Sequence, residues 1–305
     1  MRLIEKILYL SCMGRVIIPE AEEILDKEFK VLDHGYVILV DYMGGDESIV
    51  QAARVSYGKG TKKLSDDRGL IRYLMRHDHT TPFEMVELKF HCKLPIFVAR
   101  EWIRHRTANV NEYSLRYSEP EGDFYIPDAS QIGYQSKDNK QGRSLENVPN
   151  ELKEKVQRYM KEISEEAFKK YQELNQAGIA RELARALLPV NLYTRWYWKI
   201  DLHNLFHFLR LRIDSRAQYE IRVYAEVMAE ITKKVAPLAY EAFEDYKLSS
   251  MTLSKLEIAA LDSILEGENK VDEVCEKVGF KKGRELNEFK EKLEVLLKKE
   301  KKLVS

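Results

Sequence analysis

The chain has 305 residues, enough to bury a sizeable core in one large domain or in a main domain with appendages. Its 50 Lys plus Arg residues balance 50 Asp plus Glu residues, so no global excess of charge attracts nucleic acid or an anionic membrane. The three cysteines lie far apart without CxxC spacing, which indicates neither a zinc knuckle nor a disulfide framework. No stretch is long and apolar enough to span a bilayer, and we expect a soluble cytoplasmic protein.

The first part of the chain predicts a mixture of strands and helices. YVILVDYMGG, at residues 36–45, is typical of a strand, and an amphipathic helix is expected at residues 48–56. Ser65 followed by two aspartates indicates the start of a helix that runs to about His77. MVELKFHCK, at residues 85–93, alternates apolar and polar side chains and gives the clearest strand pattern in the chain.

Helices dominate the prediction beyond this strand. Pro95 begins a helix, PIFVAREWIRHR, after which the chain is expected to be irregular. Residues 129–149 are polar and predict a long surface loop. Amphipathic patterns and end signals then predict helices at residues 150–178, 181–188, 202–212 and 217–235.

Residues 249–305 differ in composition from the rest, with Lys, Glu and Leu predominating. Ser254 and Glu257 match a capping box, Gly279 is placed to end a second helix, and residues 285–298 predict a third. We expect a small helical C-terminal extension. Its mixed charges favour an oligomer-supporting or solvated role over DNA binding.

A polar run at residues 104–119, RHRTANVNEYSLRYSE, is the feature most suggestive of a site. Its carboxylate and amides alternate with donors, as recognition of a mixed donor and acceptor ligand requires. Arg100, Arg104 and Arg106 crowd one helix end, where repulsion persists unless an anion neutralises it. A second arginine-rich stretch contains Arg210, Arg212 and Arg216. Because neither a Walker sequence nor a GxGxxG turn occurs, these arginines are the candidates for binding a phosphorylated ligand.

Two other functions are compatible with parts of the sequence. A metal-dependent nucleotide hydrolase could use His203 and His207, which share a helix face, but HNLFH lacks the glutamate of HExxH. A non-catalytic nucleotide-binding or RNA-binding protein could use the aromatic side chains near the arginines, including Tyr117 and Trp196. Zinc content would support the first alternative, and RNA binding at physiological salt would support the second.

The ordered motifs of the chain resemble those of the flavin-dependent thymidylate synthases. The family signature RHRxxSxNxxSxR is matched at residues 104–116, except that Asn109 replaces the first serine. Further matching blocks are ARVS at 53–56, HxTPFE at 79–84, PIFVARxW at 95–102, LPxNLYT at 188–194 and LRxDSxAQxEI at 211–221. The resemblance covers roughly residues 34–246, which suggests an N-terminal extension at 1–33, a catalytic domain at 34–248 and the C-terminal extension at 249–305.

The resemblance implies both a fold and a reaction. The expected fold is α+β, with an antiparallel sheet packed with helices and a mainly helical C-terminal half. The expected reaction joins a methylene group from 5,10-methylenetetrahydrofolate to C5 of dUMP and reduces it to methyl, with FAD carrying hydride from NADPH. The resemblance also implies a homotetramer whose sites are shared between subunits. From the balanced charge and the lack of an apolar span we expect no nucleic-acid or membrane partner, and no metal is expected.

The resemblance also assigns roles residue by residue. FAD would be bound by Ser56, His79, Thr81, Arg104, His105, Arg106, Glu112, His203 and His207. The substrate dUMP would be bound by Glu101, Ser114, Leu115, Arg116, Arg185 and Arg212. Arg212 and Ser114 are the candidate catalytic residues; Arg212 would stabilise negative charge on the uracil ring, and Ser114 is assigned to binding rather than nucleophilic attack.

Two positions depart from the family pattern near these residues. Glu101 stands where glutamine is common, and we expect its carboxylate to accept from a ribose hydroxyl or a neighbouring arginine. Arg216 stands where histidine is frequent. No cysteine has an active-site context, and Cys92 belongs to the apolar face of the predicted strand.

Overall fold

A computed structural model of the chain describes residues 16–55, 67–137, 141–144, 148–265, 270–280 and 283–303. By their internal contacts the residues separate into two compact units, Met1–Leu248 and Ser249–Ser305. The first contains the sheet and the candidate site, and the second is helical. None of the described helices has the length and hydropathy that a bilayer crossing requires.

An antiparallel sheet of five strands, in the order β1-β2-β3-β7-β4, organises the first unit. Its strands are β1 (Glu28–Val31), β2 (Gly35–Met43), β3 (Glu87–Pro95), β4 (Asn109–Glu112) and β7 (Tyr193–Asp201). A separate small hairpin pairs β5 (Tyr134–Gln135) with β6 (Arg143–Ser144). The α+β class and the antiparallel sheet expected from the sequence are thereby confirmed.

The described helices of the first unit precede, connect and follow the strands. In chain order they are α1 (Pro19–Glu22), α2 (Asp46–Val55), α3 (Asp67–Arg76), α4 (Ile96–Trp102), α5 (Asn150–Gln176), α6 (Arg181–Ala184), α7 (Leu202–Arg212), α8 (Tyr219–Val235) and α9 (Pro237–Phe243). Short 3-10 helices cover Phe83–Met85, Ala129–Gln131 and Arg185–Leu187, and a π-helix covers Glu244–Leu248.

The second unit contains three described helices, α10 (Lys255–Leu265), α11 (Val271–Val278) and α12 (Arg284–Leu303). The capping box is present: the Glu257 carboxylate accepts from the Ser254 amide, and the Ser254 hydroxyl accepts from the Glu257 amide. Gly279, at φ 106°, ends α11 in the left-handed conformation that glycine adopts without steric penalty.

Four segments differ from the prediction made from the sequence. Residues 129–149 were predicted to be a surface loop, but they contain a 3-10 helix and the β5–β6 hairpin. The strand β7 was not predicted, although Trp196, Trp198 and Ile200 are buried on one face of it and alternate with more exposed residues. The polar run at residues 104–119 was expected to be irregular after the helix end, but Asn109–Glu112 in its middle forms the edge strand β4. Residues 28–31, within the segment described as an N-terminal extension, pair with β2 and belong to the sheet.

A cluster of aromatic side chains fixes α4 and α7 against the sheet. The ring of Trp102, the last residue of α4, lies with its centroid 5.4 Å from Trp196, 5.2 Å from Trp198 and 4.9 Å from Phe208 of α7. All four side chains are almost fully buried. The residues that follow Trp102 and Phe208 are therefore held in fixed positions at one end of the sheet.

Replacing Trp102 with alanine should lower the free energy of unfolding by about 3–5 kcal/mol, because a large cavity would remain among the buried rings. Chemical denaturation of the purified protein measures this change. The matched control is Tyr159→Ala on α5, where the side chain is 47% exposed and a change within about 0.5 kcal/mol is expected. Equal destabilisation by the two substitutions would contradict the assigned role of the cluster.

Candidate active site

The ends of two helices meet through an ion pair. α4 begins directly after β3, with Pro95 extended at its N-cap, and places Glu101 in its last turn. α7 begins at an N-cap aspartate, Asp201, whose carboxylate accepts from the Asn204 amide, and it ends at Arg212. Arg212 Nη1 donates to Glu101 Oε1 at 2.8 Å. Of the two partners expected for Glu101, the neighbouring arginine is the one observed.

This ion pair is half-buried and incompletely hydrogen-bonded. Burial is the largest influence on the pKa of Glu101 and raises it. The charge of Arg212 lowers this pKa and the charge of Glu220 raises it, and the net result is a pKa above the ordinary value. Glu101 Oε2 and Arg212 Nε are buried without a hydrogen-bond partner among the described residues. Buried polar atoms in folded proteins normally have partners, so both atoms are suited to a polar ligand.

A second set of polar contacts holds the loop that follows Arg212. Glu220, buried at the start of α8, accepts from Tyr125 at 3.0 Å, from Gln218 at 2.9 Å and from Arg143 of β6 at 2.5 Å. Burial alone would raise the pKa of Glu220, but the hydrogen bonds from Arg143 and Gln218 bring it below its ordinary value. Glu220 is therefore held as a carboxylate, which fixes the turn between α7 and α8.

His105 lies beside the same helix end, in the polar run. Its ring centroid is 5.5 Å from that of His207 and 5.5 Å from that of Phe208, both on α7. Burial, together with the nearby charges of His207 and Arg212, lowers the pKa of His105 below 6.5. The imidazole is neutral at pH 7, so it can both donate and accept a hydrogen bond.

A pocket of ≈ 120 Å³ opens between the end of α3, α7 and α9. Its floor is apolar and includes Phe206 and Phe243, whose rings stack at 4.3 Å. Its rim carries three of the predicted site residues, His79, His203 and His207. An apolar floor beneath a polar, cation-rich rim suits a planar aromatic ligand that carries anionic groups.

A second group of predicted residues lies where β4 ends. The Thr194 hydroxyl donates to Glu112 at 2.8 Å, and the Arg116 amide donates to the Ser114 hydroxyl at 3.3 Å, with Leu115 between them in the turn. Arg116 also pairs with Glu182 at 3.3 Å, on the surface. Arg185 follows in the next 3-10 turn and is exposed.

The remaining predicted residues are exposed. Arg104 and Arg106 follow α4 and have no ion pair within the described ranges, which agrees with a role in binding an external anion. Thr81 is exposed in the turn after His79. Ser56 lies outside the described residues.

The structure thus brings the predicted residues into two groups. Around α7 it places Glu101, His105, His79, His203, His207 and Arg212, and around the end of β4 it places Glu112, Ser114, Leu115, Arg116 and Arg185. No hydrogen bond, ion pair or ring contact between described residues joins one group to the other. Asp78, Arg210 and Lys247 also line the pocket. Of these three, only Arg210 was among the arginines predicted from the sequence to bind a phosphorylated ligand.

No group of three or more His, Cys, Asp or Glu side chains in the described part of the chain is arranged to hold a metal ion. His203 and His207 lie at the rim of the pocket instead. The helix carrying them has Asn204 and Phe206 between the histidines and no glutamate.

The α+β fold, the clustered arginines and the pocket with an aromatic floor and histidines at its rim are typical of a nucleotide-binding enzyme. The sequence model of the family described as "Thymidylate synthase complementing protein" matches residues 38–238. The flavin-dependent thymidylate synthase of Ehrlichia ruminantium (strain Gardel) is 54% identical over 285 residues, 93% of each chain. That of Rickettsia prowazekii (strain Madrid E) is 54% identical over 271 residues, covering 85% of this chain and 92% of the relative. The chain belongs to this family, the flavin-dependent thymidylate synthases.

Solved structures agree with the sequence relatives. A UMP/dUMP methylase, PolB from Streptomyces cacaoi, bound with 5-Br UMP, aligns with a TM-score of 0.64 at 37% identity. The same enzyme bound with 5-Br dUMP aligns with a TM-score of 0.64 at 36% identity. Each alignment covers 73% of this chain and all of the solved chain.

The lowered pKa of His105 predicts a specific pH dependence. A histidine whose pKa is depressed on folding contributes stability that is present above its unfolded pKa of 6.5 and is lost as the pH falls through the folded pKa. We expect an NMR titration of His105 to give a midpoint below 6.5, and His105→Gln to reduce the loss of stability on acidification. A midpoint at or above 6.5 would contradict the burial of the ring.

Proposed function

We propose that this chain converts dUMP to dTMP by transferring the methylene group of 5,10-methylenetetrahydrofolate to C5 of the uracil ring. When bound, FAD would supply the hydride that reduces this group to methyl, with NADPH as the source. The half-buried ion pair of Arg212 with Glu101, beside a neutral His105, is the observation that carries the proposal. Membership of the family gives the reaction class, and the bound nucleotides of the solved methylase support a pyrimidine substrate.

Arg212 is assigned to the uracil ring. C5 of uracil is a poor nucleophile, and a guanidinium near N3 and O2 stabilises negative charge on the ring and so raises the electron density at C5. The bond from Arg212 to Glu101 fixes the guanidinium in place, and the unpartnered Arg212 Nε remains available to the substrate. The glutamate at position 101 therefore serves to orient the arginine.

Ser114, Leu115, Arg116 and Arg185 are assigned to the phosphate end of dUMP. The ion pair of Arg116 with Glu182 is exposed and therefore weak, so a phosphate can displace the carboxylate. Arg185 is exposed and has no carboxylate partner among the described residues. Ser114 has no histidine or lysine base among its described contacts, which supports binding rather than nucleophilic attack.

FAD is assigned to the histidine-lined pocket and the arginines beside it. His79, His203 and His207 would border the aromatic part of FAD, and His105 would lie beneath them. The other residues assigned to FAD would complete the site: Ser56, Thr81, Arg104, Arg106 and Glu112. The pocket fits part of such a ligand, since ≈ 120 Å³ is well below the roughly 300–1,000 Å³ of closed ligand pockets. Most of the cofactor must therefore be covered by something other than this part of one chain.

A homotetramer with shared sites accounts for both the small pocket and the two separate groups of residues. The group around α7 of one subunit would meet the group around the end of β4 of another, so that one dUMP contacts both. In such an arrangement, one subunit binds the phosphate of dUMP and another binds its uracil ring. The contacts to the distant phosphate then help to orient the ring. We propose a cytoplasmic enzyme without nucleic-acid or membrane partners.

Arg212→Ala should nearly abolish dTMP formation, by a factor of about 100 or more, because the charge that activates the ring is lost. The measurement is an anaerobic assay of purified protein with dUMP, 5,10-methylenetetrahydrofolate, FAD and NADPH that follows dTMP. The double variant Arg212→Ala/Glu101→Gln is the control for folding, since it removes the carboxylate that the single variant leaves unpaired. Wild-type turnover in either variant would refute the assignment.

Cys92→Ala should retain synthase activity. Cys92 is fully buried in β3, and burial raises the pKa of its thiol, so the thiolate needed for attack on C6 of uracil does not form at neutral pH. We expect only a packing loss of about 1 kcal/mol in the free energy of unfolding. A folded but inactive variant would instead indicate a cysteine mechanism.

A further inference from the structure

The rim of the histidine-lined pocket carries two cations that have not been matched to a particular group of a ligand. Arg210 and Lys247 line the rim together with one carboxylate, that of Asp78. Arg210 lies two residues before Arg212 on α7, whereas Lys247 belongs to the π-helix Glu244–Leu248. The two cations reach the same pocket from elements far apart in sequence.

The two cations differ in how they are held. Arg210 is exposed and has no ion pair within the described ranges. Lys247 Nζ donates to Asp78 Oδ1 at 2.5 Å, across the rim. The Asp78 side chain is 73% exposed and that of Lys247 is 23% exposed, so water weakens this pair and a more highly charged anion can take the place of the carboxylate.

The ends of two packed helices place both members of this pair. Asp78 follows α3 with φ 55°, the left-handed conformation common at helix ends, and the His79 amide donates to the Leu74 carbonyl at 2.9 Å across it. Lys247 lies in a π-helix, and short π-helical segments occur frequently at functional sites. α9, which precedes the π-helix, packs against α3, and this packing brings Lys247 to the side chain of Asp78.

The composition of the pocket restricts its ligand. A small inorganic anion does not require the apolar floor formed by Leu74, Met75 and the stacked rings of Phe206 and Phe243. A neutral aromatic molecule does not require two cations at the rim. A diphosphate joined to planar aromatic groups uses both features, since guanidinium and ammonium groups bind phosphate oxygens and the floor accepts a flat ring.

We propose that Arg210 and Lys247 bind the diphosphate of an adenine dinucleotide in this pocket, and that Lys247 leaves Asp78 for a phosphate oxygen when the dinucleotide enters. The choice of FAD as that dinucleotide rests on the proposed function. NADPH has the same diphosphate chemistry, and the experiment separates the two. Asp78 then acts as a competitor that occupies Lys247 while no dinucleotide is bound.

The test compares flavins with and without the diphosphate. Purified full-length protein is freed of flavin and titrated with FAD, riboflavin and NADPH by calorimetry, for the wild type, Lys247→Met, Arg210→Met and Asp78→Asn. Loss of one charged hydrogen bond weakens binding roughly 10-fold or more, so we expect that effect on FAD and none on riboflavin in the first two variants. Asp78→Asn should bind FAD at least as tightly as the wild type.

Lys234→Met, an exposed lysine on α8 outside the pocket, is the matched control and should bind FAD as the wild type does. Thermal unfolding of each variant reports folding separately from binding. A loss confined to NADPH would support the pocket as a diphosphate site and assign it to that dinucleotide. Two results would overturn this inference and leave the proposed function intact. One is wild-type affinity for both FAD and NADPH in Lys247→Met and in Arg210→Met. The other is an equal loss of affinity for FAD and for riboflavin in these variants. A wild-type protein that binds no FAD would refute the proposed function as well.

Discussion

The ion pair between Glu101 and Arg212 is the interaction on which the site depends. It joins the last turn of α4 to the last turn of α7, and the buried rings of Trp102 and Phe208 hold those helices at fixed positions on the sheet. Desolvation makes such a pair costly, and a buried charge left without its partner is more costly still. Glutamate at this position therefore constrains the arginine more strongly than a neutral amide would, while Arg212 Nε has no partner among the described residues.

The separation of the site residues into two groups has a physical explanation in the sheet. β7 pairs with β3 on one side and with β4 on the other, so the turn carrying Ser114 and Arg116 leaves the sheet from its edge strand. The group around α7 instead follows the opposite end of β7, where Asp201 starts the helix. The two groups thus lie at opposite ends of β7, and this separation is the observation that supports our proposal of shared sites.

Strong local patterns were sufficient to predict most elements. The alternation of apolar and polar residues in MVELKFHCK predicted β3, and the patterns and end signals of residues 150–178 and 202–212 predicted α5 and α7. Such predictions succeed because the spacing of apolar residues reflects which face of an element is buried. β7 carries a similar alternation, but Trp196, Tyr197 and Trp198 were considered as possible nucleotide or RNA contacts, and the strand was not predicted. β4 has four exposed residues and no apolar period, so only pairing with β7 makes it a strand.

The sequence by itself determined the family, the α+β class and the residue types available for binding, since motifs and side-chain periods are local properties of the chain. Only the tertiary structure decided which of those residues meet. The partner of Glu101 lies 111 residues away, and Lys247 lies 169 residues from Asp78. No pattern in the sequence encodes such contacts, because they follow from how the helices pack on the sheet and from the burial that sets the pKa of each group.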